Sequence, residues 1–132
     1  MNIDDMRSSI VFALNTGKTQ EEELRMLRTT FWYYGLRVSV TPAEDVYNGE
    51  HEFSYIVPMH WDVWTTLKPI LVLHNQESVL LVNRDAHCYL FFLKTDKREV
   101  LGRLVQVSCA EAHRSGAYTK VDDSYFTTKE DV

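Results

Sequence analysis

Three stretches of this chain, Ile70-Leu71-Val72-Leu73, Val79-Leu80-Leu81-Val82 and Tyr89-Leu90-Phe91-Phe92-Leu93, are apolar at every consecutive position. Side chains on a strand alternate between two faces, so strands built from these stretches must keep both faces out of water. The connectors between them, Asn75-Gln76-Glu77-Ser78 and Arg84-Asp85-Ala86, are polar and too short for a crossover. Strands over 70–74, 79–83, 88–93 and 100–108 should therefore form an antiparallel meander. Each face of that sheet needs a cover, from helices, from curvature of the sheet around its own core, or from another protein.

The first half supplies helices. Ile3, Met6, Ile10 and Leu14, spaced three or four apart behind Asp4-Asp5, predict an amphipathic helix over 3–16 that Gly17 ends. Thr19-Gln20-Glu21-Glu22 has capping-box spacing, and Leu24, Leu27, Phe31 and Tyr34 continue the helical period to Gly35. Leu36, Val38 and Val40 then alternate with polar residues as a strand stopped by Pro42, and 42–52, with Asn48-Gly49, reads as a polar loop. A strand over 53–57 leads through Pro58 to a short helix carrying Met59, Val63, Trp64 and Leu67 before Pro69. Ser108-x-x-Glu111 caps one more turn ending near Gly116.

These elements predict an α+β fold, with two N-terminal helices packed on a curved, mostly antiparallel sheet of about five to six strands. At 132 residues the chain is the size of one domain. That domain is expected over 1–116, with 117–132 as a polar, partly mobile tail. The element order is similar to the cone-shaped NTF2-like fold, which implies a curved sheet around a pocket and frequent dimers.

Charge excludes several functions. The chain holds 14 Lys and Arg against 19 Asp and Glu, and its longest basic run is Lys97-Arg98. The phosphate-neutralising stripe of a nucleic-acid binder is missing, so nucleic acid is a disfavoured partner. No apolar run reaches the ~20 residues of a membrane span. Two cysteines, Cys88 and Cys109, are too few for a disulfide framework, and the acidic N-terminus is unlike a secretory signal, which points to the cytoplasm.

Aromatic residues carry the strongest surface signal. Phe31-Trp32-Tyr33-Tyr34 are successive on a helix, about 100° apart, so they cannot all face one core. With Trp61 and Trp64 they form a candidate interaction surface. Catalytic patterns are sparse. Gly17-Lys18-Thr19 lacks the earlier glycine of a phosphate-binding loop, since Phe12 stands there, and a helix rather than a strand is predicted before it. His60-x-Asp62 beside Trp61 and Trp64 is the best acid/base pair. Cys109-x-x-x-His113 would bring thiol and imidazole onto one helical face, but without a third orienting group. His87-Cys88 with Cys109 and His113 counts to four zinc ligands, yet adjacent strand residues point apart. No cofactor or metal is therefore expected.

The reading these features support is a small, self-associating, non-catalytic protein–protein interaction module, an adaptor, inhibitor or modulator whose partner is another protein or itself. The alternative is an NTF2-like pocket protein, a small-ligand binder or an enzyme using His60 and Asp62 as acid and base.

Overall fold

The structure is a computed structural model and describes residues 1–130; Asp131 and Val132, the end of the expected tail, lie outside the described residues. Its elements in chain order are α1 (Ile3–Met6), β1 (Ser9–Ala13), α2 (Gln20–Tyr33), β2 (Thr41–Tyr47), β3 (Glu50–Pro58), α3 (Trp61–Leu73), β4 (Ser78–Val82), β5 (His87–Phe92), β6 (Arg98–Val107), α4 (Cys109–Ser115), β7 (Ala117–Val121) and β8 (Ser124–Lys129). The strands close into an antiparallel barrel in the order β1-β3-β2-β7-β8-β6-β5-β4, with β4 returning to β1. An open sheet of five to six strands under two N-terminal helices is thus corrected to a closed eight-stranded barrel, and the NTF2-like likeness falls with it.

Closure answers the question of what covers the two apolar faces. Alternation along the strands sends Val11, Ala43, Ile56, Val82, Cys88, Leu104, Val121 and Phe126 into one buried cluster, the barrel interior, joined by Met6 of α1. The opposite face sends Ile10, Phe12, Tyr55, Val57 and Val79 into a second cluster with Leu27 and Phe31 of α2 and Val63, Leu67 and Leu71 of α3. The sheet curls over its own side chains, and α2 and α3 cover part of its outer wall.

Each misread element has a physical cause. Residues 9–13 are a strand because Ile10-Val11-Phe12-Ala13 is continuously apolar and buried on both sides; sampling that run every fourth residue imitates a helix. Asn2 does cap a short helix, with Asp5 reaching back to it, but this ends at Met6. Conversely, 70–74 is not a strand. Val63, Leu67 and Leu71 form a buried stripe at four-residue spacing, and α3 runs through Pro69 because that proline lies on the exposed side, leaving the Thr65 carbonyl it cannot serve next to water. The 42–52 loop is a hairpin: Asn48 and Gly49 have φ of 51° and 83°, the left-handed pair of a two-residue turn between β2 and β3. Residues 36–40 are not a strand, although Val40 is buried. The expected tail contributes β7 and β8, turned at Asp122-Asp123 and paired to β2 and β6.

One glycine is dictated by the closure. Where β6 passes β8, Gly102 has φ of +106°, and a Cβ there would stand 2.1 Å from the Lys129 carbonyl oxygen. The pairing of β5 with β6 shifts register between Cys88 and Tyr89, opposite this glycine, so Gly102 and the bulge together bend β6 around the barrel. Among the described residues no helix is long and apolar enough to cross a membrane.

Candidate active site

A cleft of about 460 Å³ opens beside the N-terminus of α2, between the loop that follows β1 and the beginning of β3. Asn15, Gly17 and Lys18 come from the loop, Glu23 from α2, Glu44 from β2, and His51, Glu52 and Phe53 from β3. Its volume lies in the range of small-molecule pockets.

The loop is folded around a buried carboxylate. Thr19 caps α2 by accepting from the Glu22 N–H at 3.2 Å, which places Glu23 one turn in and facing the barrel wall. Glu23 is 1% exposed. Its Oε2 accepts from the Thr16 N–H at 3.0 Å and the Thr16 hydroxyl at 2.6 Å, and its Oε1 accepts from the Tyr55 hydroxyl at 2.6 Å. The Lys18 N–H in turn donates to Thr16 Oγ1 at 3.2 Å. A buried carboxylate needs this number of donors. Burial, and then the Glu23 carboxylate, push the Tyr55 phenol well above its ordinary range, so it stays a neutral donor.

The far wall is also acidic. Asn15 donates to Glu52 Oε2 at 3.0 Å, tying the loop to β3. Glu44 and His51 bond across the β2–β3 hairpin. Beside Glu52, on the same face of the β2–β3 pair, its register partner Asp45 accepts from the hydroxyls of Ser54 at 3.1 Å and Thr119 at 2.8 Å. Burial pushes the Asp45 carboxyl up to about 6, and the neighbouring Glu52 charge adds to the rise that the two hydroxyls oppose. Three carboxylates, one ammonium group on Lys18, and the rings of Phe53 and His51 thus share one concavity. Such a cleft suits a small organic cation with an aromatic part.

The residues that the sequence singled out lie elsewhere. Phe31 is buried under α2, whereas Trp32, Tyr33 and Tyr34 are at the surface, Trp32 at 78% exposure. Trp61 is exposed, and Trp64 is half-buried with its ring edge-on to Phe91 at 5.5 Å. His60 and Asp62 are both exposed at the start of α3, and no hydrogen bond or ion pair joins them. His60 lines a second concavity with Trp61 and Trp64, away from the acidic cleft. Cys109 and His113 do meet on α4, with Sγ 3.5 Å from Nδ1, but the same nitrogen lies 2.7 Å from the Cys109 carbonyl oxygen. Tyr118 and Tyr125 flank that imidazole, and the Cys109 thiol pushes the Tyr125 phenol up to about 12. Cys88 is inside the barrel, where burial pushes its thiol up to about 12. Among the described residues, no three His, Cys, Asp or Glu side chains come together as metal ligands.

The model of the S-adenosylmethionine lyase family matches residues 11–129, from β1 to the last residue of β8. The chain belongs to the S-adenosylmethionine lyase family. No curated protein matches it in sequence. Membership overturns the expectation of a non-catalytic adaptor, inhibitor or modulator, because the family is named for an enzymatic reaction and the match covers all of the barrel but the first two residues of β1. The aromatic run and the lack of any complete catalytic motif had argued for an interaction module. Neither observation bears on a cleft whose acids come from three separate segments.

The acids of this cleft carry no local sequence signal. Glu23 sits in Glu21-Glu22-Glu23, where the pattern of a solvated first turn hides the one acid that turns inward. Gly17-Lys18-Thr19 was set aside partly because no strand was expected before it; a strand does precede it, but Phe12 is a buried strand residue and the surrounding charge is negative, unsuited to phosphate.

Proposed function

We propose that this chain cleaves S-adenosylmethionine in the acidic cleft at the N-terminus of α2. The observation that carries the reading is the gathering of Glu23, Glu44 and Glu52 with one lysine and two rings in a single concavity. The substrate has complementary parts. Its sulfonium and ammonium groups are cations for the carboxylates, its carboxylate is an anion for Lys18, and its adenine is a flat ring for Phe53 and His51.

The chemistry follows from the sulfonium. When the bond from sulfur to the amino-acid chain breaks, the electron pair stays on sulfur and neutral 5′-methylthioadenosine leaves. The remaining four-carbon fragment regains its valence without water in one of two ways. Its own carboxylate can attack the carbon that sulfur leaves, closing a lactone, or a base can take a proton from the adjacent carbon, giving an alkene. Ring closure needs no proton acceptor and annihilates a positive and a negative charge, a change that a water-poor cleft accelerates. Glu23 is held by three donors, Glu52 is bonded to Asn15 and Glu44 to His51, which supports positioning roles over proton abstraction. The cleft's work in this reading is to bend the substrate and exclude water.

The test is calorimetric titration with S-adenosylmethionine and with S-adenosylhomocysteine, which has the same adenosine and amino-acid parts but a neutral sulfur. Recognition by carboxylates predicts that the sulfonium compound binds about tenfold more tightly and that Glu52→Gln removes most of that preference. Equal affinities, or a preference unmoved by Glu52→Gln, would refute the placement. Both cysteines are free thiols, which supports a reducing compartment such as the cytoplasm.

A further inference from the structure

The second concavity, about 300 Å³, lies near the opposite end of β1 from the acidic cleft. Ile10 and Leu81 form its floor on the barrel wall, Trp61 and Trp64 of α3 form one side, and Phe91 of β5 forms the other. From Ile10 here to Asn15 at the cleft is five residues of extended chain, roughly 16 Å, so one small molecule does not fill both.

The charge of this slot is the reverse of the cleft's. None of its lining residues is a carboxylate, and its one formal cation is Arg98. Arg98 stacks its guanidinium 5.9 Å from the Phe91 ring centroid, which holds the group at the lip, and no carboxylate among the described residues pairs with it. In a chain with five more acids than bases, an unpaired arginine over an aromatic slot is a specific arrangement. A stacked guanidinium keeps its N–H donors in the ring plane and directed outward, where they suit an oxygen anion. The walls suit a flat ring system, since Trp64 and Phe91 already meet edge to face at 5.5 Å and Trp61, 74% exposed, has a free face.

We propose that this slot is a second ligand site, distinct from the acidic cleft, that takes a flat aromatic acid: rings between Trp61, Trp64 and Phe91, and the acid group on Arg98. The inference stands on the slot alone and does not need the proposed reaction to be correct.

Two fluorescent probes separate the parts of the claim: 8-anilinonaphthalene-1-sulfonate, and N-phenyl-1-naphthylamine, which has the same rings without the sulfonate. With the full-length protein, the sulfonate should bind, and Arg98→Gln, an exposed change that leaves the core intact, should weaken it about fivefold while moving the neutral probe by less than about twofold. Trp64→Leu should weaken both by about tenfold. Saturating S-adenosylmethionine should displace neither. Sulfonate binding indifferent to Arg98→Gln would overturn the proposal, because the probe would then be reading another apolar patch such as Trp32 to Tyr34. Displacement by S-adenosylmethionine would overturn the separation of the two sites. Probe binding that emerges only as an associated protein is diluted would assign the slot to a second copy of the chain and would also overturn it.

Discussion

Asp45 is a buried carboxyl on the same face of the barrel wall as its register partner Glu52, and its replacement by asparagine should stabilise the protein near neutral pH. The group titrates near 6 in the fold, against about 3.9 when free, so the folded state holds its proton more tightly than the unfolded chain. Stability from this group is therefore fully present below about pH 4 and is lost as pH rises through about 6. Two pH units at 1.36 kcal/mol each set the loss at about 2 to 3 kcal/mol, a large share of the 5–15 kcal/mol that hold a typical domain together. Asparagine keeps an acceptor for the Ser54 and Thr119 hydroxyls, removes the buried charge and its repulsion from Glu52, and places an amide donor where the second oxygen was. The assay is urea unfolding followed by tryptophan fluorescence for the wild type and Asp45→Asn at steps between about pH 4 and about pH 8. The variant should be the more stable by about 2 kcal/mol at the upper end, with the difference shrinking to zero at the lower end. A wild type as stable as the variant at neutral pH would refute the reasoning, because it would mean that the hydroxyls fully offset burial of the charge.

The remaining predictions concern the same wall and its closure. Tyr55→Phe removes one of three donors to Glu23 and should cost about 1 to 3 kcal/mol in the same unfolding assay, with Thr16 left to hold the carboxylate alone. Gly102→Ala puts a methyl group 2.1 Å from the Lys129 oxygen and should open the β6–β8 seam, lowering stability by about 3 kcal/mol or more and exposing β8 amides to hydrogen exchange. Lys18→Ala should raise KM for S-adenosylmethionine several-fold with little change in kcat, as loss of uniform binding of the substrate carboxylate requires; a fall in kcat with KM unmoved would place Lys18 in the chemical step.

Part of this architecture could be read from residue order, and the failures share a cause. The meander β4-β5-β6, the Thr19 cap of α2 and the Ser108 cap of α4 are local patterns, and the structure has them at those places. β1 was missed because a strand buried on both faces has no alternation to detect, and its continuous apolar run is compatible with any period. The end of α3 was missed because Pro69 was read as a stop, although its position on the exposed side leaves the buried stripe intact. β7 and β8 were legible: Thr119, Val121 and Phe126 face inward on either side of Asp122-Asp123, but their polar outward residues resemble a tail. Closure itself rests on β1 pairing with β4 across about seventy residues, which no local pattern encodes. The cleft was illegible for the same reason, since its acids at 23, 44 and 52 become neighbours only once β1, β2 and β3 are side by side.

The central claim is tested most directly by incubating the purified protein with S-adenosylmethionine alone and resolving the products by chromatography and mass spectrometry. The account predicts 5′-methylthioadenosine in equal amount to a four-carbon lactone, formed without added metal or reductant and lost in Glu52→Gln. No release of 5′-methylthioadenosine by folded protein, or release undiminished by Glu52→Gln, would contradict it.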